Sequence, residues 1–296
     1  MAITALSLNV PGDKNIKDWS LRVPKLALKH PSLLYAIYAL AALHLSRVEP
    51  DEPSYYQIYQ RYLALTLRDH RADVGNLNKD NTDAALITSS YLRVCTFAAL
   101  TDREIIPYTA PKEWLSMANT SGYSLAVSVW QLIADDENAI TRSMLSNAPG
   151  LKPSGQVRDD ASLFMDFNRQ GLEYLLHRTP NNVLREPWDN VSQEAYKTTL
   201  SVIGAVKLAI AAKDPRAQIL RRLIIFPTVL ETAFITLVNS EAPRALVVLA
   251  HYFALLADFR DIWYIGNIGK REVRGNNSAL PEEWRDLMPM IPSNST

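Results

Sequence analysis

The chain has 296 residues, enough to bury a substantial core, with 48% apolar and 21% charged side chains, a globular balance that excludes a disordered protein. Its 31 basic and 31 acidic side chains cancel to a formal charge of zero. With no basic block anywhere, unaided binding to nucleic acid phosphates is not expected. Its single cysteine, Cys95, excludes an internal disulfide and every thiolate zinc cluster.

The opening stretch "MAITALSLNVPGDKN" has no basic region and no sustained apolar segment, so no signal peptide is expected. Helical periodicity then dominates and no stretch alternates as a strand does. Helices are expected to begin near Lys17, Ser32, Ser54, Asn81, Pro111, Asp160, Val191, Pro227, Pro243 and Pro281. Many of these starts carry Pro, Ser or Asp, which suit caps and first turns. Asp83, close behind Asn81 and Thr82, belongs in the positive first turn of its helix. Short connections between the starts point to an all-α fold, a single layered multi-helix domain over residues 1–296. Leu33–Leu45 and Ala245–Ala257 are apolar nearly all round and are expected at its centre. Ser146–Asp160 reads as a flexible loop. No apolar run reaches the roughly 20 residues of a bilayer span. A soluble, intracellular protein, cytoplasmic or nuclear, is expected.

Chemistry-bearing motifs are few. Cys95 sits on an apolar helical face, as a buried, inert thiol does. Asp135–Asp136 and Asp159–Asp160 have the look of the metal-binding aspartates of ionisation-type terpene cyclases, but positions 139 and 163 are Ala and Leu, so the third carboxylate is missing. These pairs read as caps and solvated turns, and no metal or cofactor site is expected. Asp258 and Asp261, beside Arg260, read as a solvated helix end.

The stretch "PRALVVLAHYFALLADFRDIWYIGNIG" is the most informative. It plants His251 and Tyr252 inside an apolar run and follows them with Trp263 and Tyr264. Two readings stand side by side. Either the rings fill core volume and their polar ends find partners, or they edge a pocket for a rigid hydrocarbon with few oxygens. In the second reading Tyr252, Trp263 and Tyr264 bind the ligand, His251 donates a hydrogen bond to it, and Trp114, Met117 and Tyr123 supply the facing wall.

Pro243, Ala245, Leu246, Leu249, Ala250, His251 and Tyr252, then Trp263–Tyr264, Gly266 or Gly269, and Leu280–Pro281–Trp284 resemble the C-terminal block of the regulatory domain of fungal zinc-binuclear-cluster transcription factors, the group that includes sterol-uptake regulators. "LALKHPSLLYAIYALAALHLSR" resembles that family's N-terminal helix pair and "APKEWLSMANTSGYSL" its central tryptophan helix, so the likeness runs from about Asp18 to Pro292. The resemblance implies an all-α regulatory domain with a hydrophobic pocket that takes a sterol in the sterol-responsive members. Those factors bind DNA through six cysteines, and one cysteine cannot supply that cluster, so no direct nucleic acid binding is expected. The chain is expected to be an excised regulatory domain or an orphan without its DNA-binding module, and its own initial Met favours the orphan. It would then bind a terpenoid- or sterol-sized molecule and act through protein partners, with a homodimer admitted. The alternative from another class is a cofactor-free cyclase of the Diels–Alder type. Its pocket would hold a near-attack conformation and His251 would donate to an activating carbonyl.

Overall fold

The computed structural model describes residues 18–146, 161–178 and 188–291, and every regular element among them is helical. The all-α expectation is met. The chain divides into two compact units, the first of residues 1–98 and 120–159, the second of residues 99–119 and 160–296. The two apolar helices expected at the centre fall one in each. Past Ser146, the loop expected over 146–160 lies outside the described residues.

The first unit is built on α1 (Pro31–Val48), α2 (Ser54–Gly75) and α3 (Thr82–Ala98). Pro31 opens α1 in its first turn, where a missing N–H leaves no bond unmade. α1 and α2 run antiparallel: Ser32 donates to the Asp73 carboxylate, while Tyr62 of α2 lies between Tyr35 and Tyr38, with ring centroids 5.9 and 5.1 Å away. α1 buries one face, through Leu33, Ala36, Leu40 and Leu43, and leaves Val48 61% exposed at its end. α3 is covered nearly all round. With the turn that follows, Thr82–Thr101 is long and apolar enough to cross a bilayer, yet 61% of that stretch is buried in the protein, as in a core helix.

α4 (Lys112–Ile133) contains one of the three points at which the chain passes between the units, at 119/120. Its later half packs Leu125, Ala126, Val129 and Ile133 with Leu86, Ala139 and Leu145. The short α5 (Ile140–Ser146) follows. Asp83, placed by its sequence in the first turn of α3, accepts from the backbone N–H groups of Ile140 and Thr141 at 2.8 and 3.0 Å, so it caps α5 as well.

The second unit is organised around α6 (Asn190–Ala211) and α9 (Pro243–Leu255), joined by α7 (Arg216–Ile224) and α8 (Thr232–Asn239) and closed by α10 (Ile268–Ala279) and α11 (Glu282–Arg285). Asp189 starts α6 by accepting from the Ser192 N–H at 2.7 Å. The 3-10 turn Asp166–Arg169 crosses α6 so closely that a Cβ on Gly204 would lie 1.9 Å from the Asn168 carbonyl oxygen. Glycine is the residue that admits this approach. From Ala245 to Ala250 every side chain of α9 is buried, as expected of a central helix.

A buried ion pair fastens residues 103–109 to α10. Arg103 Nε and Nη2 donate to the two oxygens of Glu272 at 2.6 and 2.8 Å, and the Tyr108 hydroxyl donates to the same carboxylate at 3.0 Å. Glu272 is fully buried, while Arg103 keeps 18% of its side chain exposed. Tyr108 lies flat against α10 because position 275 is glycine, where a Cβ would meet the ring at 2.3 Å. Removing one partner of such a pair leaves a desolvated charge uncompensated. Because the Arg103 left behind is partly exposed and keeps the Thr109 carbonyl, Glu272→Gln is expected to lower stability by about 1–2 kcal/mol, measured as a reduced urea midpoint. Arg103→Met with Glu272→Leu should recover much of that loss.

Candidate functional site

The residues singled out in the sequence gather around α9, within the second unit. Tyr252 is the most enclosed of them. Its ring stacks on Phe226 with centroids 4.0 Å apart and planes within 9°, and Trp114 stacks 5.7 Å away. Its hydroxyl donates to the Leu223 carbonyl at 3.0 Å. Burial pushes this phenol far above its ordinary range. Tyr252 and Trp114 therefore meet in one three-ring stack whose rings cover one another. Tyr264 is also buried, with its phenol raised by desolvation. Trp263, partly covered, meets it edge to face at 5.5 Å. The side chains of Met117 and Tyr123 lie outside the described residues.

His251 sits at the partly open edge of α9. Its Nε2 lies 3.0 Å from the Leu287 carbonyl oxygen. A carbonyl only accepts, so Nε2 carries the proton and donates. The Tyr174 hydroxyl is 3.4 Å from the same nitrogen, and the two rings meet edge to face at 6.3 Å. The donor assigned from sequence to a ligand oxygen is thus engaged by the chain's own C-terminal segment. Tyr174, 40% exposed, went unnoticed in the sequence because its partner lies 77 residues away.

Arg244 is the second residue missed. It stands in the first turn of α9 and is fully buried. It donates to the Leu175 carbonyl and to the His177 carbonyl at 3.1 Å. Its guanidinium lies over Trp188 at 4.7 Å, Trp284 at 5.1 Å and Tyr196 at 6.0 Å. The sequence carried one signal for it. A cation in a helix's first turn opposes the helix dipole, so it needs partners of its own.

The other motifs resolve simply. Cys95 is buried in α3, where desolvation pushes its thiol up to about 12, so it is unreactive. The Asp136 carboxylate accepts from the Asn138 N–H at 2.9 Å, a turn contact. Asp159 and Asp160 lie outside the described residues. Arg216 pairs with the exposed Asp261 and donates to the Asp258 carbonyl, which makes this a solvated helix end. No group of three or more metal-ligating side chains forms among the described residues.

Residues 4–110 match the fungal specific transcription factor domain. Similarity to whole proteins extends further. The chain is 32% identical over 250 residues to the Zn(2)-C6 fungal-type transcription factor afumD of Aspergillus fumigatus, covering 83% of this chain and 63% of that protein. The chain is homologous to the fungal Zn(2)-C6 transcription factors. A second factor of this type, from Gibberella zeae, is 24% identical over 95% of the chain and 57% of its own length. Sterol uptake control protein 2 of Candida albicans is 22% identical over 91% of the chain and 38% of its own length. The chain thus spans less than two thirds of each of these homologues. The family's six-cysteine cluster cannot be assembled from Cys95 alone.

Three histidines, His44, His70 and His251, give the fold a defined pH response. Burial lowers the pKa of His251, opposed by the Leu287 hydrogen bond and assisted by the Lys207 charge. His44 and His70 are lowered by burial too, with Asp73 opposing at His70. A lowered folded pKa means that the unfolded chain takes up protons first as pH falls through its ordinary value of about 6.5. The stabilisation is full above that value and declines below it. The urea midpoint should therefore fall between pH 7 and 5, before carboxylates titrate, and His251→Gln should reduce the slope. A midpoint that rises on acidification would contradict this.

Proposed function

We propose that the chain is a ligand-responsive regulatory region, taking a rigid hydrophobic molecule of terpenoid or sterol size against the second unit. It acts inside the cell, in the nucleus or cytoplasm, through protein partners. The observation that carries this reading is similarity over 91% of the chain to a protein named for control of sterol uptake, together with aromatic side chains gathered on α9 and the segment after it. Tyr252 and Trp114 fill core volume, so ligand contact is assigned to the partly open rings. These are Trp263 and the His251–Tyr174 pair. A ring with one apolar face and one polar edge suits a molecule with a single oxygen on a hydrocarbon frame.

A fluorescent sterol tests this directly. Energy transfer from tryptophan should report saturable binding to the purified chain. Trp263→Ala should weaken binding by about tenfold, and Trp263→Phe, which keeps more of the packing on Tyr264, by less, each compared at a temperature where the variant is fully folded. Absence of saturable binding to the folded wild-type chain, for sterols and for di- and triterpenoids alike, would falsify the proposal. The same preparation should bind a DNA duplex only weakly and non-specifically at physiological salt, since neither charge excess nor cysteine cluster is available.

A further inference from the structure

α2, in the first unit, is long and buries little of itself. Of its 22 residues, Tyr59 and Thr66 are the ones fully buried. The side turned to α1 carries Tyr62 and Asp73, and helical spacing puts Tyr59 and Thr66 on that same side. A second apolar row runs beside it. Tyr56, Leu63, Leu67 and Val74 recur at intervals of seven, four and seven residues, the repeat of a helix–helix seam. This row stays open to water: Tyr56, Leu67 and Val74 are 38%, 44% and 39% exposed, and Leu63 is half-buried.

Charge on α2 is sorted by side. Arg61, Arg68 and Arg71 are all exposed, and their spacing of seven and three sets them in a row beyond the apolar one. Gln57, Gln60 and Ala64, also exposed, fill the surface between the two rows. The helix has two carboxylates, Asp69 and Asp73, and helical spacing puts both on the far side of the apolar row from these arginines. Asp73 is held there by Ser32 of α1. Asp69 reaches round to Arg68 Nε at 2.6 Å, an exposed contact of little strength that a better-placed anion can replace.

We propose that this face of α2 docks an acidic amphipathic helix of a partner protein. The partner's apolar side chains lie along Tyr56, Leu63, Leu67 and Val74, and its Glu or Asp row meets Arg61, Arg68 and Arg71. From Tyr56 to Val74 the row spans roughly 27 Å, room for five helical turns. Charge selects this occupant over the others. A second copy docked by the same face would bring another arginine row and no anion to meet it. A helix lying on a lipid surface carries cations along both edges of its apolar face, whereas here one edge is cationic and the other adjoins α1. The site gives the proposed action through protein partners a place on the molecule, and it stands apart from any ligand of the second unit.

The test titrates the full chain, without sterol, into a fluorescein-labelled peptide of three Leu-Glu-Glu-Leu-Ala-Glu-Glu heptads and follows anisotropy. Two control peptides replace every Glu by Gln or by Lys. The Glu peptide should bind saturably and about tenfold more tightly than the Gln peptide, the contribution of three exposed ion pairs. Leu67→Glu should weaken it by at least about tenfold, and because Leu67 is exposed the melting temperature should hardly move. Arg61→Glu, Arg68→Glu and Arg71→Glu combined should reverse the order, so that the Lys peptide binds more tightly than the Glu peptide. Phosphatidylcholine vesicles containing phosphatidylserine should not displace the peptide. The proposal is overturned if the folded wild-type chain does not bind the Glu peptide or binds the Gln peptide equally well. It is also overturned if the charge-reversed chain keeps the wild-type order, if the vesicles compete, or if Leu67→Glu acts by dissociating a dimer of this chain.

Discussion

The second unit depends on one buried cation. Arg244 enters the protein in the first turn of an apolar helix, where neither the helix dipole nor its neighbours favour a positive charge. Its burial is tolerable because carbonyls from residues 175 and 177 and the faces of Trp188, Tyr196 and Trp284 surround it. These partners come from the 3-10 turn Glu173–Leu176, the start of α6 and the short α11. A planar, weakly hydrated guanidinium can lie between aromatic faces and fork to two carbonyls at once; an ammonium cannot. Where Arg244 sits fixes where those three segments sit.

The rest of α9 repeats the device with weaker groups. Tyr252 reaches the Leu223 carbonyl ahead of α9 and His251 the Leu287 carbonyl behind it. Each polar side chain of this central helix thus ends on a backbone carbonyl of a segment distant in sequence. Such carbonyls lack helical partners near element ends and need donors when covered. This explains why polar rings interrupt an apolar run: they are fasteners for irregular segments that hydrophobic packing alone would leave poorly positioned. The Arg103–Glu272–Tyr108 cluster does the same for residues 103–109. The rings that keep an open side, Trp263 and Tyr174, are left outside this fastening of the core.

Local features were legible in the sequence. Proline set the starts of α1 and α9, periodicity gave the helices, and the apolar setting of Cys95 announced an inert thiol. Asp83 was placed correctly in a first turn, but its second role at α5 depends on a contact 57 residues away. Partners separated by 169 residues, as in the Arg103–Glu272 pair, leave no trace in periodicity. The chain passes between the two compact units three times, at 98/99, 119/120 and 159/160, and the second passage falls inside the continuous helix α4, where no break in the pattern marks it. The site was half legible. Aromatic residues around α9 were found, whereas which of them face protein depends on stacking geometry that spacing does not encode. Arg244 stood in plain view as the one charge at the head of an apolar helix.

Hydrogen exchange on Arg244→Lys tests the role of the buried cation most directly. Amides of residues 173–177 and of the segment around Trp284 should exchange at least about tenfold faster than in the wild-type chain. Those of α10 and of the Arg103 clamp should keep their protection. Unchanged protection at 173–177 and around Trp284, or uniform acceleration through the whole unit, would contradict the assignment of Arg244 as the residue that holds these segments together.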